Sequence, residues 1–446
     1  MNFKLLVAVG FGSLALGQDS NWEQSMQEGN DLRVQGEYAA AQQRYLAALA
    51  EAERFGEEEA RLAHTLNNLA AIYHEQGRYT EAEPLYRRAL VLWEKASLRN
   101  KGAESGELGK SLGNLAALCR AQGRYPEAES LYKRSLTLLE RHWGAEHPSV
   151  ATSLNNLAEL YTAQGKHAEA EPLLLRSLEI KKRSFGPEHP EVAVALSNLA
   201  QLYVTQGKYG QAEPLLLRVL EIRQKRLPAG HPEVARSLNN LASIYRRQDR
   251  LEEAEPLYRR AVAILESSTA NKDGAPEHPN LAAALNNLGH LYYSQKRYAE
   301  AEPLYRRALA IWERTLGPEH PSIAAVLNNL ATLYCVQLRY VMADPLYRRA
   351  MAMTEKALGP QHPELATYLN NLGSMYCRLG RHAEAEALLL RALAIREKAL
   401  GPQHPDVANS LENLAQLWRL QGKNAKARAL YKRLPAQALR PAASGQ

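Results

Sequence analysis

Leu154-Asn155-Asn156-Leu157-Ala158, followed by Tyr161 and then Gln164-Gly165, is one of nine near-copies of a single pattern. The copies centre on Asn68, Asn114, Asn156, Asn198, Asn240, Asn287, Asn329, Asn371 and Asn413. Successive spacings are 46, 42, 42, 42, 47, 42, 42 and 42 residues. A fixed period of this length marks a stacked array: each unit is too small to bury its own apolar face and buries it against its neighbours. A chain of this length would otherwise suggest about three domains. An array grows by adding units, so one continuous body is the simpler expectation.

The copy from Pro232 to Leu265 shows what one unit contains. Leu238, Leu241, Ala242 and Tyr245 recur at helical spacing, and so do Ala254, Leu257, Tyr258, Ala261, Val262 and Leu265. Gln248-Asp249-Arg250 separates the two runs. Other copies place Gly77, Gly123, Gly165, Gly207, Gly380 or Gly422 there, which suits the left-handed residue that ends a helix. Pro256 is expected in the first turn of the second helix, where its missing N–H costs nothing. Between units Gly186-Pro187-Glu188-His189-Pro190 recurs at 317–321 and, with Gln361 and Gln403 in place of Glu, at 359–363 and 401–405. Gly stops one helix and Pro starts the next. The two longer spacings place extra residues around Arg99–Gly106 and Ser268–Ala275, which read as longer loops. Gly36-Glu37-Tyr38 with Gln43-Arg44-Tyr45 echoes the pattern once more, giving a degenerate first hairpin at Asn21–Phe55. The period therefore predicts about twenty helices and no sheet.

Composition narrows the function. The net charge is +7, from 55 basic and 48 acidic residues mixed along the chain. No basic block with interleaved aromatics stands out, so nucleic-acid binding is not expected. The three cysteines, Cys119, Cys335 and Cys377, sit inside helical repeats and are expected free. Lys4 and the apolar run Leu5–Leu16, ending in Ala15-Leu16-Gly17, read as an export signal over residues 1–17, with cleavage before Gln18. That predicts a periplasmic, cell-surface or extracellular protein if the signal functions, and a cytoplasmic one otherwise. No stretch is long and apolar enough to span a membrane. Residues 435–446 are expected to form a frayed tail.

The repeat resembles the tetratricopeptide repeat, in the 42-residue form of kinesin light chains. The likeness rests on Leu154–Ala158, Tyr161, Gln164-Gly165, Ala170-Glu171-Pro172-Leu173 and Gly186–Pro190. It implies an all-α, right-handed superhelical solenoid of about ten helix-turn-helix repeats within residues 18–434. It also implies that the first helix of each pair lines an inner, peptide-binding groove. The chain lacks the heptad segment by which light chains pair with a motor subunit, so the groove chemistry carries over and the motor role does not.

Nine mid-helix Asn residues need a reason, because each costs up to about 0.7 kcal/mol relative to Ala. Asn68 is expected about 150° from the stripe of Leu66, Leu69, Ala70 and Tyr73. An amide offers both donor and acceptor, so the ladder Asn68, Asn114, Asn156, Asn198, Asn240, Asn287, Asn329, Asn371 and Asn413 suits an extended peptide backbone. It equally suits bonds that fix the stack, and the sequence leaves both readings open. The flanking Asn67, Asn155, Asn239, Asn286, Asn328 and Asn370 fit a structural or rim role. Lys110, Arg236, Arg247, His290 and Arg378 share the ladder's face. Arg236 and Arg247, on one side of one helix, form a cation pair for a carboxylate-bearing ligand.

His147, His189, His231, His278, His320, His362 and His404 fall one per linker. Metal ligands must converge within about 2 Å of the ion, whereas stacked helices lie about 10 Å apart. Helix capping is the better account, and neither a metal nor a cofactor is expected. No phosphate loop, nucleophile elbow or zinc-protease motif is present, and the carboxylates repeat with the scaffold. The reading is a non-enzymatic scaffold that binds an extended, acidic peptide. The alternative is an assembly component that docks folded partners, or copies of itself, through its convex face or ends.

Overall fold

The computed structural model describes residues 20–54, 60–100, 102, 105–270, 279–402 and 404–434. The export segment, the tail and His278 lie outside them. Twenty helices and no strand occur among the described residues. They pair as α1 (Ser20–Gln35) with α2 (Tyr38–Arg54), α3 (Ala60–Glu75) with α4 (Tyr79–Arg99), and α5 (Ser105–Ala121) with α6 (Tyr125–Trp143). Next come α7 (Pro148–Ala163) with α8 (His167–Phe185), α9 (Pro190–Thr205) with α10 (Tyr209–Arg226), and α11 (Pro232–Arg247) with α12 (Leu251–Ala270). Then follow α13 (Pro279–Ser294), α14 (Tyr298–Thr315), α15 (Pro321–Val336) with α16 (Tyr340–Leu358), α17 (Pro363–Arg378) with α18 (His382–Leu400), and α19 (Pro405–Leu420) with α20 (Asn424–Tyr431).

By its internal packing the chain forms two compact units. One runs to Leu291 and includes Ala310–Pro318; the other holds Tyr292–Leu309 and everything from Glu319 onward. Within each, helix pairs pack on the residues that the periodicity marks. In α11 and α12, Leu238, Leu241, Ala242, Ala254, Tyr258, Ala261 and Leu265 are all buried. Small side chains sit where helices cross most closely. At Gly373, which replaces the usual Ala, a Cβ would meet Leu389 at 2.9 Å.

Two local expectations are corrected. Pro256 is not in the first turn of its helix, because α12 already begins at Leu251. The ring therefore removes an interior hydrogen bond to the carbonyl of Glu252. Glu252 is exposed, so water can satisfy that carbonyl. Of the stretch Ser268–Ala275 expected as a loop, the residues to Ala270 still belong to α12 and the rest lies outside the described residues; likewise α4 runs for 21 residues, ending at Arg99.

The intra-pair turn needs one residue at positive φ. Six copies use Gly, at φ 71–74. Asp249, Lys296 and Leu338 adopt it without that freedom, at φ 62, 61 and 60. For a branched apolar residue this conformation is costly. Leu338 is also 70% exposed, so packing returns nothing. Leu338→Gly is expected to raise stability by about 0.5–1 kcal/mol, the left-handed cost less the extra chain entropy of Gly. A urea midpoint that rises at constant slope would show it; an unchanged or lower midpoint would mean the backbone is not strained there.

Candidate ligand-binding face

From α7 onward each first helix turns one stripe away from the packed core, at steps of three and four residues. In α9 the stripe is Glu191, Val194, Asn198, Gln201 and Thr205, while Val192, Ala193, Ala195, Leu196, Leu199 and Ala200 are buried. In α11 it is Glu233, Arg236, Asn240, Ser243 and Arg247. The ladder Asn is the middle position throughout.

The ladder is not uniformly open. Asn156, Asn198, Asn240, Asn287, Asn329, Asn371 and Asn413 are half-buried, but Asn68 and Asn114 are buried, at 3% and 7% exposure. The residues one turn on, Ala71 and Ala117, are buried too, so this face is closed on α3 and α5. Asn68 there approaches Asn30 at 3.5 Å, and Asn30 also accepts from the Tyr45 hydroxyl at 2.7 Å.

Part of the ladder is spent on the stack. Asn287 donates to Asn239 of the preceding first helix at 3.1 Å, and Asn371 to Asn328 at 2.7 Å. Each bond uses one N–H and leaves a second N–H and the carbonyl oxygen. The flanking Asn thus serves as the acceptor for the next rung. Asn370 instead donates to Asn409 at 3.1 Å.

The cations divide into engaged and unengaged. Arg236 is bound to Glu233, whose carboxylate also takes Arg223 at 3.0 Å. Lys110 binds Glu107 at 2.7 Å and lies 4.9 Å from the centre of the Trp143 ring. Arg246 and Arg247 face His290 of α13, and no carboxylate pairs with either among the described residues. Burial first, and Arg246 and Arg247 second, push His290 down to about 4, so it is a neutral imidazole at pH 7. The Arg246 Nε is buried without a hydrogen-bond partner. Three junctions earlier in the stack, between α5 and α7, Arg120 lies 3.6 Å from Glu159, whose carboxyl is pushed up to about 8 by burial.

The linker histidines are helix caps. The Nδ1 atoms of His147, His189, His231, His320, His362 and His404 each accept the backbone N–H two residues on, at 3.1–3.2 Å. The intervening Pro has no N–H to offer, which is why the bond skips to the following residue. No cluster of three metal-ligating side chains occurs among the described residues.

Two recurrent features escaped the sequence reading. The first is a buried cation on the second helix. Lys181 reaches Glu191 at 2.8 Å. Arg223 reaches Glu233 and, at 2.8 Å, the Ser237 hydroxyl. Arg396 reaches Ser410 at 2.8 Å and the Asp406 carbonyl at 2.9 Å. All three are under 5% exposed and tie a second helix to the first helix of the next pair. The signal was present: the same register holds Leu139 and Leu265 in other copies, so a charge there is anomalous. The second is an aromatic–acid–base junction. Tyr203 donates to Glu171 at 2.9 Å, Tyr334 to Glu302 at 3.0 Å, and Trp418 to Glu386 at 2.8 Å. A base caps the same aromatic, as Arg339 does over Tyr334 at 4.3 Å while also pairing with Glu302 at 3.0 Å. This gives the periodic carboxylates a structural use.

A family model described as a tetratricopeptide repeat matches residues 24–95, 107–183, 149–225, 206–267, 280–356, 322–398 and 364–434. The chain belongs to the tetratricopeptide repeat family. Its repeats make it a protein-interaction scaffold in architecture. Among solved structures, a Rap protein complexed with Competence and Sporulation Factor is 15% identical, with 93% of this chain and 97% of that one covered, at a TM-score of 0.53. That likeness concerns the fold alone. A putative kinesin light chain with nearly identical repeats from Podosopora anserina is 31% identical over 47% of this chain and 98% of its own, at a TM-score of 0.37. BtubC from P. vanneervenii is 24% identical over 54% and 92%, at 0.44. No curated protein sequence matches the chain.

Proposed function

We propose that this tetratricopeptide repeat protein is a non-enzymatic scaffold that binds an extended, acidic peptide along the stripe of its first helices. The observation that carries the reading is the junction of α11 and α13. There, Arg246 and Arg247, which pair with no carboxylate among the described residues, stand beside a neutral His290 and next to the half-buried Asn240 and Asn287. Among the described residues, Asn198 and Asn240 spend neither amide group on another residue, and Asn287 keeps one N–H and its oxygen. Such amides pair with a peptide backbone whatever its side chains, and the guanidiniums add a preference for Asp or Glu. Arg236 contributes less than its position suggests, because Glu233 already neutralises it.

The test is fluorescence anisotropy of labelled Asp- and Glu-rich peptides against the whole chain. Asn198→Ala, Asn240→Ala and Asn287→Ala together are expected to weaken binding by roughly 0.5–1.5 kcal/mol per lost hydrogen bond. Arg247→Ala should remove most of the salt dependence measured between low and physiological ionic strength. Unchanged affinity in a folded triple variant would move recognition off this face. Loss of folding in the triple variant would show that the ladder is structural.

A further inference from the structure

The turn between α15 and α16 departs from its copies at three residues together. Leu338 stands where six copies have Gly. Val341 and Met342 stand where other copies read Thr80-Glu81, Ala299-Glu300 and Ala383-Glu384. All three are exposed, at 70%, 90% and 40%. In five other copies the base that opens the second helix closes on the acid three residues later, among them Arg250 on Glu253 and Arg297 on Glu300 at 2.7 Å and Arg381 on Glu384 at 2.5 Å. Arg339 has no such acid. Its Nη1 reaches Glu302 at 3.0 Å and Gln337 at 3.1 Å, while its Nη2 lies 3.0 Å from the Met342 sulfur, a weak acceptor. The equivalent turn one repeat on adds Leu379, exposed, where most copies have Gln.

Folding gains nothing from these choices. Leu338 holds φ +60 in solvent, and Met342 gives up an ion pair that five other copies keep. We propose that this turn docks a segment of another protein that presents an apolar side chain beside a carboxylate. The apolar side chain covers Leu338, Val341 and Met342. The carboxylate takes the Nη2 of Arg339, in the place of the acid that five other repeats supply from within. Charge argues against a second copy of this chain as occupant, since a twofold contact through the turn would set Arg339 against its twin. The turn lies outside the first-helix stripe, so the inference stands apart from the peptide-binding reading of that stripe.

The test restores the turn of the copies with Leu338→Gly, Val341→Thr and Met342→Glu in the whole chain. A displayed library of random peptides is selected on the parent chain with the triple variant as soluble competitor. Enriched peptides are expected to carry an apolar residue close to Asp or Glu. They should bind the parent at least about tenfold more tightly than the variant, the scale of one charge-assisted hydrogen bond plus apolar cover. Met342→Glu alone should weaken them by a similar factor, because the new carboxylate occupies Arg339. Arg247→Ala should leave them unaffected. The variant should melt no lower than the parent, which separates lost docking from lost folding. No peptide that tells parent from variant would overturn the proposal, as would enriched peptides lacking a carboxylate. A parent that sediments as a dimer while the variant is monomeric would also overturn it, in favour of self-association.

Discussion

Glu233→Ala is expected to destabilise the first unit by about 3–5 kcal/mol, the range for breaking a buried ion pair from one side. Arg223 is 2% exposed, and burial lowers its pKa to about 10 even with Glu233 in place. Removing the carboxylate leaves the guanidinium with only the Ser237 hydroxyl and the Glu233 carbonyl. Glu233 also holds Arg236 and sits in the first turn of α11, where an acid favours the helix end. Removing both charges should cost much less. Arg223→Leu with Glu233→Gln is expected within about 1 kcal/mol of the parent, since replacing a buried pair by apolar groups is often near neutral and other copies already place Leu at this register. Arrays unfold in parts, so the measurement is amide hydrogen exchange resolved to α10 and α11, alongside urea unfolding. A single-variant loss below about 1 kcal/mol would mean that Arg223 is hydrated and the tie is weak.

Stability should peak near pH 6.5 and fall on both sides. Burial holds His362, like His290, down to about 4, against about 6.5 in the unfolded chain. Between those values the unfolded chain takes up protons that the folded chain refuses. Their contribution is thus complete above pH 6.5 and is lost as the pH falls toward 4. His147 and His404 are lowered for the same first cause, burial, and act in the same direction. Glu159 works oppositely. With its carboxyl pushed up to about 8, the folded chain keeps a proton that the unfolded chain has released, so stability falls as pH rises from about 4.5 to 8. Glu364, also raised by burial, adds to that trend. Above pH 6.5 the carboxyls act alone; below it the histidines outweigh them. At about 1.4 kcal/mol per unit and group, the net loss from pH 6.5 to 4.5 is roughly 2 kcal/mol. Melting temperatures across pH 4.5–8 should trace this optimum. His362→Asn, which keeps a capping oxygen without a titratable nitrogen, should flatten the acid limb of the second unit. Glu159→Gln should flatten the alkaline limb of the first. A melting temperature level across the range would mean that these groups are hydrated in the folded state.

What the sequence determined by itself was periodic. The 42-residue recurrence, the apolar stripes and the Gly and Pro punctuation specified paired helices. They do so because each depends on contacts within a few residues or on a relation repeated in every copy. His capping was legible for the same reason: the bond spans two residues. The tertiary structure decided whatever depends on how one repeat meets the next. Asn68 and Asn114 carry the same motif as Asn240, yet they are closed off because Ala71 and Ala117 share a buried face. Arg236 and Arg247 looked equivalent on a helical wheel. Glu233 claims the first, while the second is left beside His290. Lys181, Arg223 and Arg396 stand at a register that holds Leu in other copies, and only the packing shows that each is buried under the next helix start. A helical period fixes the direction of a side chain, but burial and partnership are set by the neighbouring repeat, whose side chains vary from copy to copy.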